Sequence, residues 1–529
     1  MPAKDAPLDP ELVLPATLLS RYLFFVGRRP ISAANAHYRG SRIGALQSLA
    51  PLFEAPEICE PLRALTPANL FRVGPRLQSV LQPRLAYRMP RDLVVTAHSP
   101  SPEFWSAIER MVVIYGPAIG IGDEIVAASV PRALQALAPD ASIELLTAYD
   151  GLWDRIDPSQ RVTRYADLAA LLRRIREGSD DAIVYVDFEP PGLIAAIAHE
   201  PAVKRFIELS VGTRQVTLLD NVARRMHQMT APHRENFYDA VREMCAWLGA
   251  EVPRPGADVP RPGAEAPRRR MRASRDAARL IVVSPFTSKE EPSERLWRNV
   301  LTSMVSGEND ARVVIDTGPN AATRAFAVAI RDALRAFGSR CELAANGRAA
   351  TLGEMLDRVR DADVVITADS YLAHAAPQFG AMTFVVARDG LEPWRVPSPS
   401  SFYFRSELDP IAIGAAMQQL VHEPRVSPRR SIEATTFRDA AAALDFDAPL
   451  ESLLEAWQRC FDAHNALVAT LTEWPRTFAM LVADERYSRL MPRVPRRAGI
   501  SDAELRGHLA DRFAECANSN LWKYVRESM

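Results

Sequence analysis

The chain has 529 residues, enough for two to four domains. Hydrophobic residues make up 48% and charged residues 24%, ordinary values for a globular protein, and the net charge of −1 provides no overall field that would draw in nucleic acid. Five cysteines (Cys59, Cys245, Cys341, Cys460 and Cys516) lie far apart without a CxxC pair, which suggests packed thiols rather than a zinc site or a disulfide framework.

The first residues, MPAKDAPLDPE, are acidic and proline-rich, unlike a signal peptide. The best early apolar stretch, LVLPATLLSRYLFFVG, is broken by Pro15 and Arg21 and is too short to span a bilayer. A cytoplasmic location without a transmembrane segment is therefore expected. Residues 1–90 read as a helical N-terminal extension.

From residue 91 the texture changes. Apolar runs at 93–97, 111–116, 142–148, 181–188 and 214–221 read as strands. Helical stretches between them are expected near 102–110, from Asp123 to about Ala138, and near 165–176; the apolar run 191–199 continues the alternation. Continuous apolar strands alternating with helices predict a parallel sheet covered on both faces, and 91–250 reads as one Rossmann-like domain. Residues 251–277 contain VPRPGA twice and end in arginines, the composition of a solvated linker.

The alternation resumes over 278–430, a second Rossmann-like domain. Strands are expected at 279–286, 311–318, 363–368 and 382–387, and helices at 293–305, 321–336, 351–362 and 408–422. In 351–362, Leu352, Met355, Leu356 and Val359 recur at helical spacing. Residues 431–529 read as a helical C-terminal extension. Two α/β domains of this kind bind ligands at the C-terminal ends of their strands, and the cleft between two facing domains is the expected site.

Three segments carry chemistry. In VVITADSYLAHAAPQFG (364–380), Ser370 is a good helix N-cap with Asp369 just before it, and His374 lies about one turn inside. The open N–H groups of such a turn form an anion site. A Ser or Asp here is ordinarily only a cap, and a His in an alanine-rich helix ordinarily a core residue. In GPAIGIGDEIVAASVPRAL (116–134), Gly120 and Gly122 permit a tight loop before Asp123, an acid at a strand end that could act as a general base. In SPFTSKEEPSERLW (284–297), Thr287, Ser288 and Lys289 offer two hydroxyls and an ammonium suited to phosphate. Lys4, Lys204, Lys289 and Lys523 are the chain's lysines among 64 basic residues, so Lys289 is a departure from its preference for arginine.

Together these segments resemble glycosyltransferase family 9, the ADP-heptose-type heptosyltransferases of GT-B architecture. The resemblance rests on IGDEIVAASVPRALQALAPDASIELLT (121–147), on Asp369-Ser370-Tyr371-Leu372-Ala373-His374 with Gly380, and on Thr287-Ser288-Lys289, in that family's order across about 111–420. It implies two facing Rossmann-like domains and inverting transfer of a sugar, a heptose among the candidates, from a nucleotide-diphosphate sugar to a hydroxyl acceptor; these loops hold no acidic pair with metal-binding spacing, so metal independence is expected. Asp123 would be the base. Thr287, Ser288, Lys289, Asp369, Ser370, Tyr371 and His374 would hold the donor, an ADP-sugar being favoured, with no further cofactor. The acceptor could be a glycan, a protein or a small molecule, and the helical extensions could carry oligomer contacts.

Departures from the family pattern keep other readings open. Tyr371 stands where a glycine is usual, and Glu124 where an apolar residue is usual. The loop 115–118 lacks the basic residue associated with an acidic acceptor, and 318–325 lacks an acid associated with the donor ribose. The alternatives are a catalytically silent GT-B scaffold that binds a sugar nucleotide or a partner protein, and a GT-B-fold nucleotide-sugar epimerase.

Overall fold

The structure, a computed structural model, describes residues 93–116, 119–149, 151–165, 179–188, 203–231, 236–250, 279–287, 292–306, 311–335, 340–387, 392–398, 400–422 and 428–469, and, beyond these, 491–492, 494, 500–517, 519 and 522. The expected N-terminal extension 1–90, the linker 251–277, the helix near 165–176, the run 191–199, and Ser288 and Lys289 lie wholly or almost wholly outside the described residues. The chain divides into two compact units.

The first unit holds an eight-stranded sheet in the order β1-β8-β7-β6-β5-β2-β3-β4. Its strands are β1 (Val94–Thr96), β2 (Arg110–Tyr115), β3 (Ser142–Thr147), β4 (Arg161–Arg164), β5 (Ala182–Asp187), β6 (Arg205–Ser210), β7 (Gln215–Asp220) and β8 (Arg225–Thr230). β2, β5 and β6 are buried almost end to end, as expected of strands covered on both faces. The expected parallel sheet is present in the pairings β1-β8, β6-β5, β5-β2, β2-β3 and β3-β4, while β7 runs antiparallel to both β6 and β8. The short turn 211–214 between β6 and β7 accounts for this. A crossover to a parallel strand needs a dozen or more residues, whereas a hairpin needs only a few.

β4, β6 and β8 escaped the sequence reading. β6 (RFIELS) and β8 (RMHQMT) carry charged or polar residues inside the run, and Glu208 is nevertheless fully buried. The helices of this unit are α1 (Pro102–Ser106), α2 (Ile121–Val126), α3 (Val130–Leu137), α4 (Trp153–Ile156) and α5 (Phe237–Leu248). The single helix expected from Asp123 to Ala138 is two, broken at 127–129. Pro131 in the first turn of α3 has no N–H to give to the preceding turn, so the helix restarts there.

The second unit holds a six-stranded, wholly parallel sheet in the order β11-β10-β9-β12-β13-β14. Its strands are β9 (Leu280–Ser284), β10 (Arg312–Ile315), β11 (Arg340–Leu343), β12 (Val364–Thr367), β13 (Met382–Ala387) and β14 (Ser401–Arg405). Counted from β9, the order is third, second, first, fourth, fifth, sixth, the doubly wound arrangement of dinucleotide-binding sheets. The helices that follow the linker in sequence are α6 (Glu294–Val305), α7 (Ala321–Arg335), α8 (Leu352–Asp361), α9 (Tyr371–Gln378) and α10 (Pro410–His422). Met355, Leu356 and Val359 of α8 are buried, as their spacing requires.

The C-terminal helices α11 (Pro428–Ala442), α12 (Leu450–Ala469) and α13 (Asp502–Ala517) follow, and the described residues beyond 430 contain no strand. Their apolar residues Phe437, Leu453, Trp457 and Leu509 belong to the same hydrophobic cluster as Ile281, Val313, Phe384 and Phe404 of the second sheet. These helices therefore share the core of the second unit. Among the described residues no helix is long and apolar enough to cross a membrane.

Candidate functional site

In a doubly wound sheet the strand order reverses at one point, and helices on either side of it leave a crevice outside the strand ends. In the second unit that point lies between β9 and β12, which pair in parallel with Thr367 opposite Ser284. Two of the three segments singled out by sequence leave these two strands.

Beyond β12 the chain passes Ala368 and Asp369 to Ser370, whose extended backbone (φ −140°, ψ 173°) ends the strand and opens α9. The Leu372 N–H donates to Ser370 Oγ at 3.2 Å, and the Ser370 and Thr367 hydroxyls share a hydrogen bond of 2.9 Å. Ser370 is thus an N-cap tied to the end of its own strand. His374 is 4% exposed, and its ring meets Trp394 edge-on at 6.5 Å.

The segment after β13 packs against this helix. Trp394 lies against Ala373, Val385, Ala387 and Tyr403. The Arg395 guanidinium, 5% exposed, stands 5.3 Å over the Tyr403 ring, and Val396 N–H donates to the Tyr403 hydroxyl at 2.9 Å. Burial pushes the Tyr403 phenol up to about 12; the charge of Asp369 adds to this, and Arg395 opposes it. Asp369 and Arg395 therefore both act on the same ring. The sequence reading missed Trp394 and Arg395; the available signal was a Trp-Arg pair flanked by Pro393 and Pro397 directly after a buried strand.

Beyond β9, Thr287 follows Phe286 and is half-buried. Its neighbours Ser288 and Lys289 lie outside the described residues. The end of β9 is also joined to β10: the Ser284 hydroxyl donates to Asp316 Oδ2 at 2.9 Å, while Asp316 Oδ1 accepts from Gly318 N–H at 3.0 Å. Burial raises the Asp316 carboxyl above its ordinary range, partly offset by these hydrogen bonds. Asp316 is an acid at the end of β10, two residues before the stretch 318–325 that lacks one.

In the first unit the order reverses between β2 and β5. The loop after β2 ends in Gly120, whose N–H donates to Asp123 Oδ2 at 3.1 Å, so Asp123 closes a capping box at the start of α2. Asp123 is 8% exposed. Glu124 turns inward and is 1% exposed. On the β5 side stands Asp187, which accepts from the Tyr185 hydroxyl at 2.8 Å and from Phe188 N–H at 2.7 Å. This pair fits only against a glycine: a Cβ on Gly116 would stand 2.7 Å from the Tyr185 hydroxyl oxygen. Asp187 was also missed, although it closes the apolar run AIVYVD.

Among the described residues no group of three or more His, Cys, Asp and Glu side chains is arranged to hold a metal ion. No family model and no curated protein matches the chain. Solved structures do resemble it. A glycosyltransferase family 9 protein from Veillonella parvula is 15% identical, with a TM-score of 0.38 over 56% of this chain and 86% of that one. E. coli heptosyltransferase WaaC with ADP is 15% identical, with a TM-score of 0.39 over 59% and 96%. UDP-GlcNAc 2-epimerase from Neisseria meningitidis bound to UDP-GlcNAc is 12% identical, with a TM-score of 0.32 over 60% and 92%.

Proposed function

We propose that the protein is an inverting glycosyltransferase that moves a sugar from a nucleotide-diphosphate sugar, an ADP-sugar being favoured, to a hydroxyl acceptor. The observation that carries this reading is the Ser370-capped start of α9 at the reversal point of a doubly wound sheet, beside the strand that leads into Thr287-Ser288-Lys289. The first-turn N–H groups of a helix at that position favour a diphosphate.

The N–H groups at Ser370 and Tyr371, with His374, Thr287, Ser288 and Lys289, stabilise negative charge as the diphosphate leaves. Donors fixed in place before the reaction are often the largest catalytic contribution, about 3 kcal/mol for one of them. Asp369 orients the turn. Asp123 accepts the proton of the acceptor hydroxyl, whose oxygen attacks the anomeric carbon on the face opposite the leaving group. The reaction is expected to need no metal, and the acceptor is a glycan, a protein or a small molecule.

The test is binding and slow hydrolysis of ADP-, UDP-, GDP- and dTDP-linked sugars by wild type and Lys289→Ala. One donor should bind and be slowly hydrolysed, more weakly bound by the variant. If no member of the panel binds, the anion-site reading falls and a catalytically silent scaffold takes its place. Formation of an epimer from donor alone would instead assign the chain to nucleotide-sugar epimerisation.

A further inference from the structure

Glu124 is a charged residue in a place where burial is nearly complete, and the base assignment just proposed does not use it. The helix that carries it, α2, has six residues and so cannot hold itself by its own hydrogen bonds. Its position comes from its anchors. At its C-terminal end the Tyr115 hydroxyl donates to Ala127 O at 3.0 Å. At its start Gly120 N–H and Asp123 close the capping box. A further anchor is Glu124. Its Oε2 accepts from the Thr147 hydroxyl at 3.0 Å, at the end of β3, and its Oε1 accepts from the Trp153 indole N–H of α4.

This anchor is part of a closed ring. Thr147 Oγ1, which donates to Glu124, accepts from Tyr149 N–H at 3.1 Å. The Tyr149 hydroxyl in turn donates to Ile119 O at 2.6 Å, inside the loop that leads to Gly120. Glu124, Thr147, Tyr149 and Ile119 thus fasten the loop and the first turn of α2 to β3 from beneath. Thr147 is fully buried and Trp153 is 2% exposed. Two buried donors converge on the two oxygens of one carboxylate, a geometry that an apolar side chain cannot supply.

We infer that Glu124 is a positioning residue for Asp123: it clamps the loop after β2 to the end of β3, so that the neighbouring carboxylate keeps a fixed place. The catalytic half of this inference rests on Asp123 being the base; the structural half does not. A glutamine can keep the clamp, because its carbonyl oxygen can face Trp153 while its NH2 group donates to Thr147 Oγ1, which can reorient its proton. A leucine breaks it.

The test uses the full chain with Glu124→Gln, Glu124→Leu and Thr147→Val. Hydrogen exchange is followed in the peptide covering 119–126, and hydrolysis of the donor found in the panel supplies kcat and KM. In Glu124→Leu the peptide should exchange at least tenfold faster while the peptide across Ser370 is unchanged, and kcat should fall at least tenfold with the donor KM within twofold. Glu124→Gln should lose less than threefold in either readout. Thr147→Val, which keeps the shape and removes one donor, should move both in the same direction as leucine, so the inference remains testable if Glu124→Leu does not fold.

Unchanged exchange in both Glu124→Leu and Thr147→Val overturns the clamp. Equal losses of kcat in Glu124→Gln and Glu124→Leu overturn positioning in favour of charge. If Asp123→Asn leaves turnover intact, or wild type hydrolyses no donor, it is the base assignment that falls, and exchange alone then decides whether Glu124 clamps the loop.

Discussion

Lowering the pH should weaken the core of the second unit through one histidine. His464 of α12 is 1% exposed, its ring lies 5.0 Å from that of Phe437, and neither ring nitrogen has a hydrogen-bond partner among the described residues. Burial lowers its pKa from 6.5 to about 4. The folded value lies below the unfolded one, so the unfolded chain binds more protons as pH falls. The stability contributed by neutral His464 is whole above pH 6.5 and is lost as the pH drops toward about 4. At 1.36 kcal/mol per pH unit the loss approaches about 3 kcal/mol at the acid limit, and it reaches about 2 kcal/mol at pH 5. His464→Leu removes the titration and keeps an apolar side chain of similar size. Thermal unfolding followed by near-UV circular dichroism at pH 7.5, 6 and 5 compares the two proteins. Between pH 7.5 and 5 the variant should gain roughly 4–8 °C on wild type, the shift that about 2 kcal/mol produces in a unit of this size. Curves that stay parallel down to pH 5 would refute the assignment of this proton to His464.

Three further outcomes are expected. Gly318→Ala should destabilise the second unit by roughly 2–5 kcal/mol, read from its melting temperature. Residue 318 has φ +62°, and an added Cβ would stand 2.5 Å from the Thr323 side chain, so left-handed strain and overpacking add. Ser370→Ala should cost about 1 kcal/mol of stability through the lost cap, and should weaken binding of the donor found in the panel; an unchanged affinity would separate the cap from the anion site. Asp316→Asn should raise the melting temperature at pH 7.5, with the gain shrinking toward pH 4. Burial raises the pKa of Asp316, so it is the charged form, present at higher pH, that is penalised in the folded state.

Local sequence was sufficient for the buried strands that are apolar throughout. Val112–Val113, Val282–Val283 and Val364–Val365 are fully buried, and runs of this kind can only be satisfied inside a covered sheet. It also placed Ser370 at a helix start, because a short hydroxyl before an alanine-rich helix has one favourable use there. What it could not supply was pairing. The reversal of β7, the adjacency of β9 and β12, and the third-second-first-fourth-fifth-sixth order depend on contacts between residues far apart in the chain. β6 and β8 were hidden because polar residues within them, Glu208 and His227, are buried by packing that no local window contains.

The same division holds for the candidate set of residues in each unit, taken by itself. Asp123, Thr287, Ser370 and His374 were visible because each sits at a strand-to-helix junction, where chain chemistry and position coincide. Glu124, Asp187, Trp394 and Arg395 were not read as part of it, because their significance lies in what they touch: Thr147 and Trp153, Tyr185, His374, and Tyr403. Sequence by itself determined the continuously apolar strands and the capped helix start at Ser370, since hydrophobic runs and capping are local. Tertiary structure alone decided which strand ends lie side by side and which buried charge is matched by which donor, since hydrogen-bond partners and burial are properties of the packed chain.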